Sequence, residues 1–157
     1  MAKTIRFIAP LLVLVFIALV AGSRTSYADK RKSACTKAKP CSDCSTANGC
    51  SRKCKGAGCT FKHSGPGGAD FLCPSGKCTL NHTGAGGDDL HCKAGGCTLN
   101  HEGVGSSTLH CPGGGCTLIA TGAGSSEIVD CPDGSCTLDC QSGAGLCTLN
   151  GTEVAPH

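Results

Sequence analysis

Histidines that recur at the spacing of an internal repeat are the residues of this sequence best placed to do chemistry. They fall into two columns with an interval of 19 residues: His63, His82 and His101 in one, and His91 and His110 in the other. Imidazole is a common ligand of Zn²⁺ and Cu²⁺, so a transition-metal site is one candidate function. Repeat duplication also copies residues into columns without giving them a role. The first column continues as Ala120 and Cys140, which indicates a partly inward position chosen for packing.

Sixteen cysteines form the second chemical feature, and their spacing favours disulfides over catalysis. Ten of them form five C-x4-C units: Cys54 and Cys59, Cys73 and Cys78, Cys92 and Cys97, Cys111 and Cys116, Cys131 and Cys136. We favour a bridge within each unit, and a ladder of bridges between adjacent repeats stays open. The remaining cysteines are Cys140 and Cys147 near the carboxyl end, and Cys35, Cys41, Cys44 and Cys50, of unknown pairing, near the amino end. The C-x-x-C motif at Cys41–Cys44 has no thioredoxin-like context, so we interpret it as structural.

Threonine follows the second cysteine of each unit and recurs as a row: Thr60, Thr79, Thr98, Thr117, Thr137 and Thr148. Threonine suits an exposed strand position, which accounts for such a row without any ligand. The row also resembles the threonine ranks of disulfide-rich β-solenoid antifreeze proteins, and that resemblance implies an ice-binding face. The paired Thr-x-Thr of the best ice-binding faces is absent, because Asn81 and Asn100 stand in its place.

A glycine-rich stretch, Gly84–Leu90, resembles the G-x-G-x-D-x-U core of calcium-binding RTX repeats. A calcium site of that kind needs carboxylates from neighbouring repeats. The positions equivalent to Asp88 are Ala69, Ser107 and Ser126. We therefore interpret this stretch as a turn. No Ser/His/Asp constellation is recognisable either, and the sequence predicts a protein that is not an enzyme.

Charge is divided unevenly along the chain. Residues 29–55 contain eight Lys and Arg against two acids, whereas residues 56–157 contain three lysines against nine acids. The basic segment favours an anionic surface, a polysaccharide or an envelope component as partner, or serves only as a solvated cap. It lacks the aromatic residues that stack on single-stranded nucleic acid, so specific nucleic-acid binding is not expected.

The elements that must position these residues follow from the repeat, whose Cys-Thr dipeptides recur at intervals of 19, 19, 19 and 20 residues. A fixed period near 20 is typical of stacked repeats. Of the 24 glycines in the chain, 22 lie in residues 56–157, which disfavours helices. Apolar residues alternate over short segments, which predicts two short strands per repeat. We therefore predict an all-β fold: a small, disulfide-stapled, parallel β-solenoid with coils of about 19 residues and an irregular, cysteine-rich amino-terminal cap.

Four regions follow from these patterns. Residues 1–28 read as a signal peptide, with an apolar run that ends at Gly22 and a small-x-small site that ends at Ala28. An uncleaved anchor is the alternative, although the apolar run is shorter than the roughly 20 residues that a membrane span needs. A basic cap at 29–53, five repeats at 54–139 and a carboxyl-terminal cap and tail at 140–157 complete the chain. The mature protein is expected in the periplasm or outside the cell, without a membrane span.

The C-x-G-G-x-C-T-like repeats resemble those of cysteine-rich exported repeat proteins of bacteria, a resemblance of style that implies no activity. The leading hypothesis is an exported, non-enzymatic structural, adhesive or surface-binding protein without a cofactor. Zn²⁺ or Cu²⁺ binding by the histidine columns and ice binding by the threonine row are the alternatives.

Overall fold

The structure is a computed structural model that describes residues 33–132 and 134–157. All regular structure in these residues is β, in thirteen strands. None of the described residues forms a helix long and apolar enough to cross a membrane. The predicted signal peptide and residues 29–32 of the predicted cap lie outside the described residues.

The strands are short and regularly spaced. In chain order they are β1 Ser33–Cys35, β2 Cys50–Cys54, β3 Thr60–His63, β4 Ala69–Leu72, β5 Thr79–His82, β6 Asp88–His91, β7 Thr98–His101, β8 Ser107–His110, β9 Thr117–Ala120, β10 Ser126–Val129, β11 Thr137–Cys140, β12 Cys147–Leu149 and β13 Thr152–Glu153. From β2 to β12 the chain alternates between two sheets. The larger sheet has the order β1-β2-β4-β6-β8-β10-β12-β13, and the smaller has the order β11-β9-β7-β5-β3.

Equivalent residues of successive coils lie side by side. Thr79 pairs with Thr60 on one side and with Thr98 on the other, and this parallel register runs through the smaller sheet from β3 to β11. The larger sheet is parallel from β1 to β12, and only β13 pairs antiparallel. The fold is therefore the predicted parallel β-solenoid, with two strands per coil.

The core is a narrow slot between the two sheets. Each sheet contributes one column of large apolar residues: Phe61, Leu80, Leu99 and Leu118 from the smaller sheet, and Phe71, Leu90, Leu109 and Ile128 from the larger. All eight side chains are fully buried. Burial of each such side chain contributes about 1.5–3 kcal/mol, but a coil offers only two of them.

Disulfides close one edge of each coil. Five bridges join the cysteines within the C-x4-C units, with Cα–Cα distances from 5.9 Å in Cys54–Cys59 to 6.3 Å in Cys111–Cys116. These are the pairs that the sequence favoured, and the alternative ladder between coils does not form. Cys35–Cys41, Cys44–Cys50 and Cys140–Cys147 pair the other six cysteines. We call the edge formed by the five C-x4-C bridges the staple edge.

Glycine turns form the opposite edge, where neighbouring coils approach closely. Val104 N donates a hydrogen bond to Gly84 O at 3.1 Å, which ties one turn to the turn before it. A Cβ atom on Gly105 would overlap the carbonyl oxygen of Gly86 and lie 2.5 Å from its carbonyl carbon. Only glycine fits this position, because a side chain there would separate the coils. We call this edge the glycine edge.

Both ends of the solenoid are covered by chain. At the amino end, β1 pairs with β2, and the backbone of Cys44 pairs with that of His63 in an isolated parallel β-bridge. The Arg52 guanidinium donates hydrogen bonds to Ser42. At the carboxyl end, β13 folds back on β12, and His157 N donates to Cys140 O at 3.0 Å. These segments occupy strand edges that would otherwise be open to pairing with another chain.

Candidate functional site

The first histidine column lies inside the solenoid. His63, His82 and His101 are the last residues of β3, β5 and β7, where the alternation of the strand turns their side chains inward. Their exposed fractions are 1, 0 and 0%. The rings stack with centroid separations of 5.0 Å and 4.9 Å. The sequence indicated a partly inward position, and the structure buries the column completely.

A second polar column faces these histidines from the larger sheet. Ala69 occupies the first position of this column, and its polar members are Asp88, Ser107 and Ser126. Each of the four is the first residue of its strand. His82 Nδ1 lies 2.8 Å from Ser107 Oγ, and His101 Nδ1 lies 2.6 Å from Ser126 Oγ. Each histidine thus contacts the residue 25 positions later, in the next coil.

His63 departs from this pattern because its partner is a carboxylate. His63 Nδ1 lies 2.5 Å from Asp88 Oδ1, and His82 Nδ1 lies 3.6 Å from Asp88 Oδ2. Outside these contacts, neither carboxylate oxygen has a hydrogen-bond partner. We call the six residues of the two facing columns the polar seam: His63, His82, His101, Asp88, Ser107 and Ser126.

At each end of the polar seam, a disulfide occupies the positions that are in register with its two columns. Cys44 pairs in register with His63 and Cys50 with Ala69, and these two cysteines are bridged to each other. At the other end, Cys140 follows Ala120 and Cys147 follows Ser126 in register, again as a bridged pair. The seam therefore fills, in the central coils, the positions that a second bridge fills in the terminal coils.

Burial governs the charge of the seam. It lowers the pKa of all three inner histidines. The pKa of His82 falls to about 4, because burial disfavours the imidazolium and because His101 and His63 lie on either side of it. Burial also raises the pKa of Asp88 to about 8, with a smaller contribution from Asp89. His82 and His101 are therefore neutral at pH 7.

We expect the three inner histidines to lower the free energy of unfolding as the pH falls from 6.5 to 4, against an opposing contribution from Asp88 that is similar in size to that of His82. An unfolded histidine takes up its proton near pH 6.5 and buried His82 only near pH 4, so acid favours the unfolded chain by about 3 kcal/mol from His82 alone. His63 and His101 act in the same direction. Guanidinium unfolding followed by far-UV circular dichroism, with disulfides intact and EDTA present, measures the effect.

Asp88 has the opposite pH dependence and provides the control. Its raised pKa contributes stability that is complete below pH 3.8 and is lost as the pH rises to about 8. In Asp88→Ser this opposing contribution is gone, and the seam gains a third His–Ser pair. The decrease in stability between pH 6.5 and 4 should then be steeper than in the wild type. A D88S protein with constant stability over that range would contradict the assignment.

The second histidine column lies outside, in a groove on the larger sheet. The rings of His91 and His110 stack with centroids 4.4 Å apart, and His110 Nδ1 lies 3.3 Å from Asp130 Oδ2. The groove has a volume of about 390 Å³ and follows the border between the sheet and the staple edge. We call it the histidine groove, and its lining includes Lys53, Leu72, His91, Lys93, His110 and Asp130. The structure thus separates the two predicted metal-binding columns.

Lysines gather along the amino-terminal half of the staple edge. Lys55 and Lys93 each follow the first cysteine of a C-x4-C unit, and Lys77 precedes the second cysteine of another. A Cβ on Gly58 would lie 3.6 Å from Lys37 Cδ, and one on Gly96 would lie 3.5 Å from Lys77 Cγ, so these two side chains run along the same edge. We call these four lysines, together with Lys53 of the histidine groove, the lysine edge: Lys37, Lys53, Lys55, Lys77 and Lys93.

The threonine row is real but shorter than predicted. Thr60, Thr79, Thr98, Thr117 and Thr137 lie in one register on the smaller sheet. The inclusion of Thr148 was wrong, because it lies in β12 of the larger sheet and pairs with Glu127. The final Cys-Thr-Leu follows the previous one after only 11 residues, which is too short for a full coil.

A second outward column runs beside the threonine row. It consists of Lys62, Asn81, Asn100, Ile119 and Asp139. Asn100 Nδ2 donates to Asn81 Oδ1 at 2.8 Å, but the other members differ in charge and polarity. The face therefore has one uniform row of hydroxyl groups and lacks a second.

Among the described residues, two sets of side chains have the spacing of metal ligands. One comprises Cys54, Cys73 and Cys78, whose sulfur atoms are in disulfides and are not available to a metal. The other comprises His63, His82 and Asp88. Sequence reasoning found both histidines and missed Asp88 as their partner. Its periodic position after the glycine turn was the available signal.

Comparison with known proteins finds no matching family model, no matching curated protein and no matching solved structure.

Proposed function

We propose that the protein is an exported, non-enzymatic, surface-binding rod whose lysine edge and histidine groove hold an acidic polysaccharide. The observation that carries this proposal is the collection of five lysines on one edge of the solenoid, directly beside a groove. The ligand is a linear polyanion that lies along the stack of coils.

The spacing of the coils supports an extended ligand. The column that lines the histidine groove passes from Lys53 on β2 through β4 and β6 to His110 on β8. At about 4.8 Å per strand, these four strands span roughly 15 Å. A long, narrow, cationic strip of this kind suits a chain of carboxylate or sulfate groups.

The distribution of acids favours the same end of the rod. The turns at residues 55–58, 74–77 and 93–96 contain lysines and no acids, whereas Asp130 lies beside this edge at a later coil. The charge asymmetry seen in the sequence is thus a gradient along the staple edge. Along the staple edge, a polyanion would be attracted to the amino-terminal turns rather than to the turn near Asp130.

An acidic polysaccharide fits this edge better than a lipid surface does. Binding to a membrane surface generally combines charge with apolar side chains that enter the headgroup region. The exposed large apolar residues of the described chain, Val104 and Leu146, lie in turns of the glycine edge, away from the lysines.

The covalent structure supports export, and the placement of reactive groups supports a non-enzymatic role. All sixteen cysteines are in bridges, a state that persists in oxidising compartments, and none is left as a thiol nucleophile. The ionisable groups with shifted pKa values are enclosed in the polar seam, where no substrate would reach them.

Lys93→Glu is expected to weaken binding to alginate or polygalacturonate roughly fivefold at low ionic strength, because one favourable exposed charge contributes up to about 1 kcal/mol. Binding should also weaken as salt is added. Calorimetry or a glycan-coated sensor measures the affinity, with neutral dextran as the uncharged ligand.

Lys62→Glu is the matched control. It makes the same change in charge, but Lys62 is exposed on the smaller sheet rather than on the lysine edge. We expect K62E to change the affinity less than twofold. Equal weakening by K62E and K93E, absence of binding to both polysaccharides, or binding only to anionic phospholipid vesicles would each overturn the proposal.

A further inference from the structure

The polar seam encloses a carboxyl group between two imidazoles. Asp88 is 3% exposed, and its close ionisable contacts are the imidazoles of His63 and His82. Apart from these two imidazoles, Oδ1 and Oδ2 of Asp88 have no hydrogen-bond donor. A buried carboxylate without a cation costs several kcal/mol, so a cation bound between Asp88 and the two imidazoles would stabilise its ionised form.

We infer that His63, His82 and Asp88 form a buried binding site for one divalent transition-metal ion, for which Zn²⁺ is the best match. One nitrogen from each histidine and one carboxylate oxygen lie within 4.8 Å of one another. Two imidazoles and a carboxylate are a ligand set that Zn²⁺ accepts. This site is distinct from the lysine edge, and either proposal can fail without the other.

One of the two histidine–carboxylate distances is close to that of a tetrahedral site. Zinc–ligand bonds of about 2.0–2.2 Å place tetrahedral ligands roughly 3.4 Å apart. The separation of His82 Nδ1 and Asp88 Oδ2 is 3.6 Å, while His63 Nδ1 and Asp88 Oδ1 are 2.5 Å apart and would have to separate by about 1 Å. The proposal requires the Asp88 carboxylate to rotate by that amount within the seam.

A fourth ligand is at hand in the same seam. Ser107 follows Asp88 in register, and its Oγ lies 2.8 Å from His82 Nδ1. A metal bound to Nδ1 takes the place of this hydrogen bond, so the hydroxyl must move aside before its oxygen can complete the coordination. Tetrahedral coordination by nitrogen and oxygen favours Zn²⁺ over Cu²⁺, which prefers tetragonal geometry.

Repetition in the seam explains why the site is confined to one place. The coils beyond it repeat the histidine but carry serine in place of the aspartate, as in His101 with Ser126. A neutral hydroxyl does not compensate a dication. Asp88 therefore distinguishes the metal site from the His101–Ser126 pair of the next coils.

The test loads the full exported protein with metal during refolding, because the site is enclosed in the folded state. The protein is unfolded in guanidinium with disulfides intact and refolded with one equivalent of Co²⁺ or Zn²⁺, then desalted. We expect one ion per chain by elemental analysis. The Co²⁺ form should show the intense visible bands of a tetrahedral site.

Two variants assign the ligands. Asp88→Ser recreates the His–Ser pair that the chain already uses, so it should keep the β-sheet circular dichroism spectrum and lose the ion. His101→Asn alters the same column one coil away and should keep the ion. Absence of retained metal in the wild type, equal retention by D88S, or loss of metal in H101N would each overturn the site.

Discussion

Replacement of Gly105 by alanine is expected to destabilise the solenoid by more than about 3 kcal/mol, the upper end of the usual cost of overpacking. The new Cβ would overlap Gly86 O and lie 2.9 Å from Ala85 O, and both oxygens belong to the backbone of the previous coil. Backbone atoms cannot rotate away as a side-chain tip can. The two coils must therefore separate, and the hydrogen bonds and core columns on both sides of Gly105 are strained together.

Gly56→Ala is the matched control for this prediction. A Cβ at Gly56 would meet nothing within 4 Å, and its φ lies outside the left-handed region. We expect G56A to change stability by less than about 1 kcal/mol, with stabilisation possible through the unfolded chain. Guanidinium titrations followed by far-UV circular dichroism compare the two, since the chain contains no tryptophan. Similar midpoints for G105A and G56A would show that the glycine edge is not closely packed.

Reduction of the eight disulfides is expected to abolish the β-sheet spectrum at 25 °C without added denaturant. A bridge that closes a six-residue loop contributes roughly 2 kcal/mol in the chain-entropy account, so the five C-x4-C bridges contribute about 10 kcal/mol as an upper figure. That is comparable to the whole net stability of a domain. A core with two large apolar residues per coil does not replace it. A reduced protein that retained its far-UV spectrum would contradict this prediction.

Variants that lack one disulfide test whether the burial of a bridge determines how much it stabilises the fold. Cys92 and Cys97 are fully buried in the middle of the stack, with neighbouring coils on both sides. Cys35 and Cys41 close the terminal cap, where Cys41 is only partly buried. Cys92→Ala with Cys97→Ala should therefore lower the guanidinium midpoint much more than Cys35→Ala with Cys41→Ala. Equal midpoints would show that burial of the bridge does not matter.

Predictions from the sequence succeeded where partners are close along the chain. Cys92 and Cys97 are five residues apart, so their bridge depends on one turn, and the pairing follows from a local pattern. The threonine row failed at Thr148 for the converse reason. The Cys-Thr-Leu tripeptide there is identical to those of the preceding repeats, but the length of the turn before it determines which of the two sheets it joins.

The candidate sites show the same division. His63 and Asp88 are 25 residues apart, and their contact requires that each histidine reaches the coil after its own. Neither the period nor the composition specifies that offset, because it depends on how the two sheets are staggered across the core. The lysine edge likewise joins Lys37 of the cap to Lys93 of the third coil through the stacking of turns.

The repeated histidines, read alone, indicated metal chemistry in two columns of equal standing. The sequence by itself determined the coil length, the strand alternation and the five C-x4-C disulfides. These features follow from periodicity and from bridges that each close a loop of six residues. Only the tertiary structure decided that one column is enclosed with Asp88 and the other lines an open groove. That choice depends on which strand faces are brought together across the slot, and burial then sets the charge that each histidine can carry.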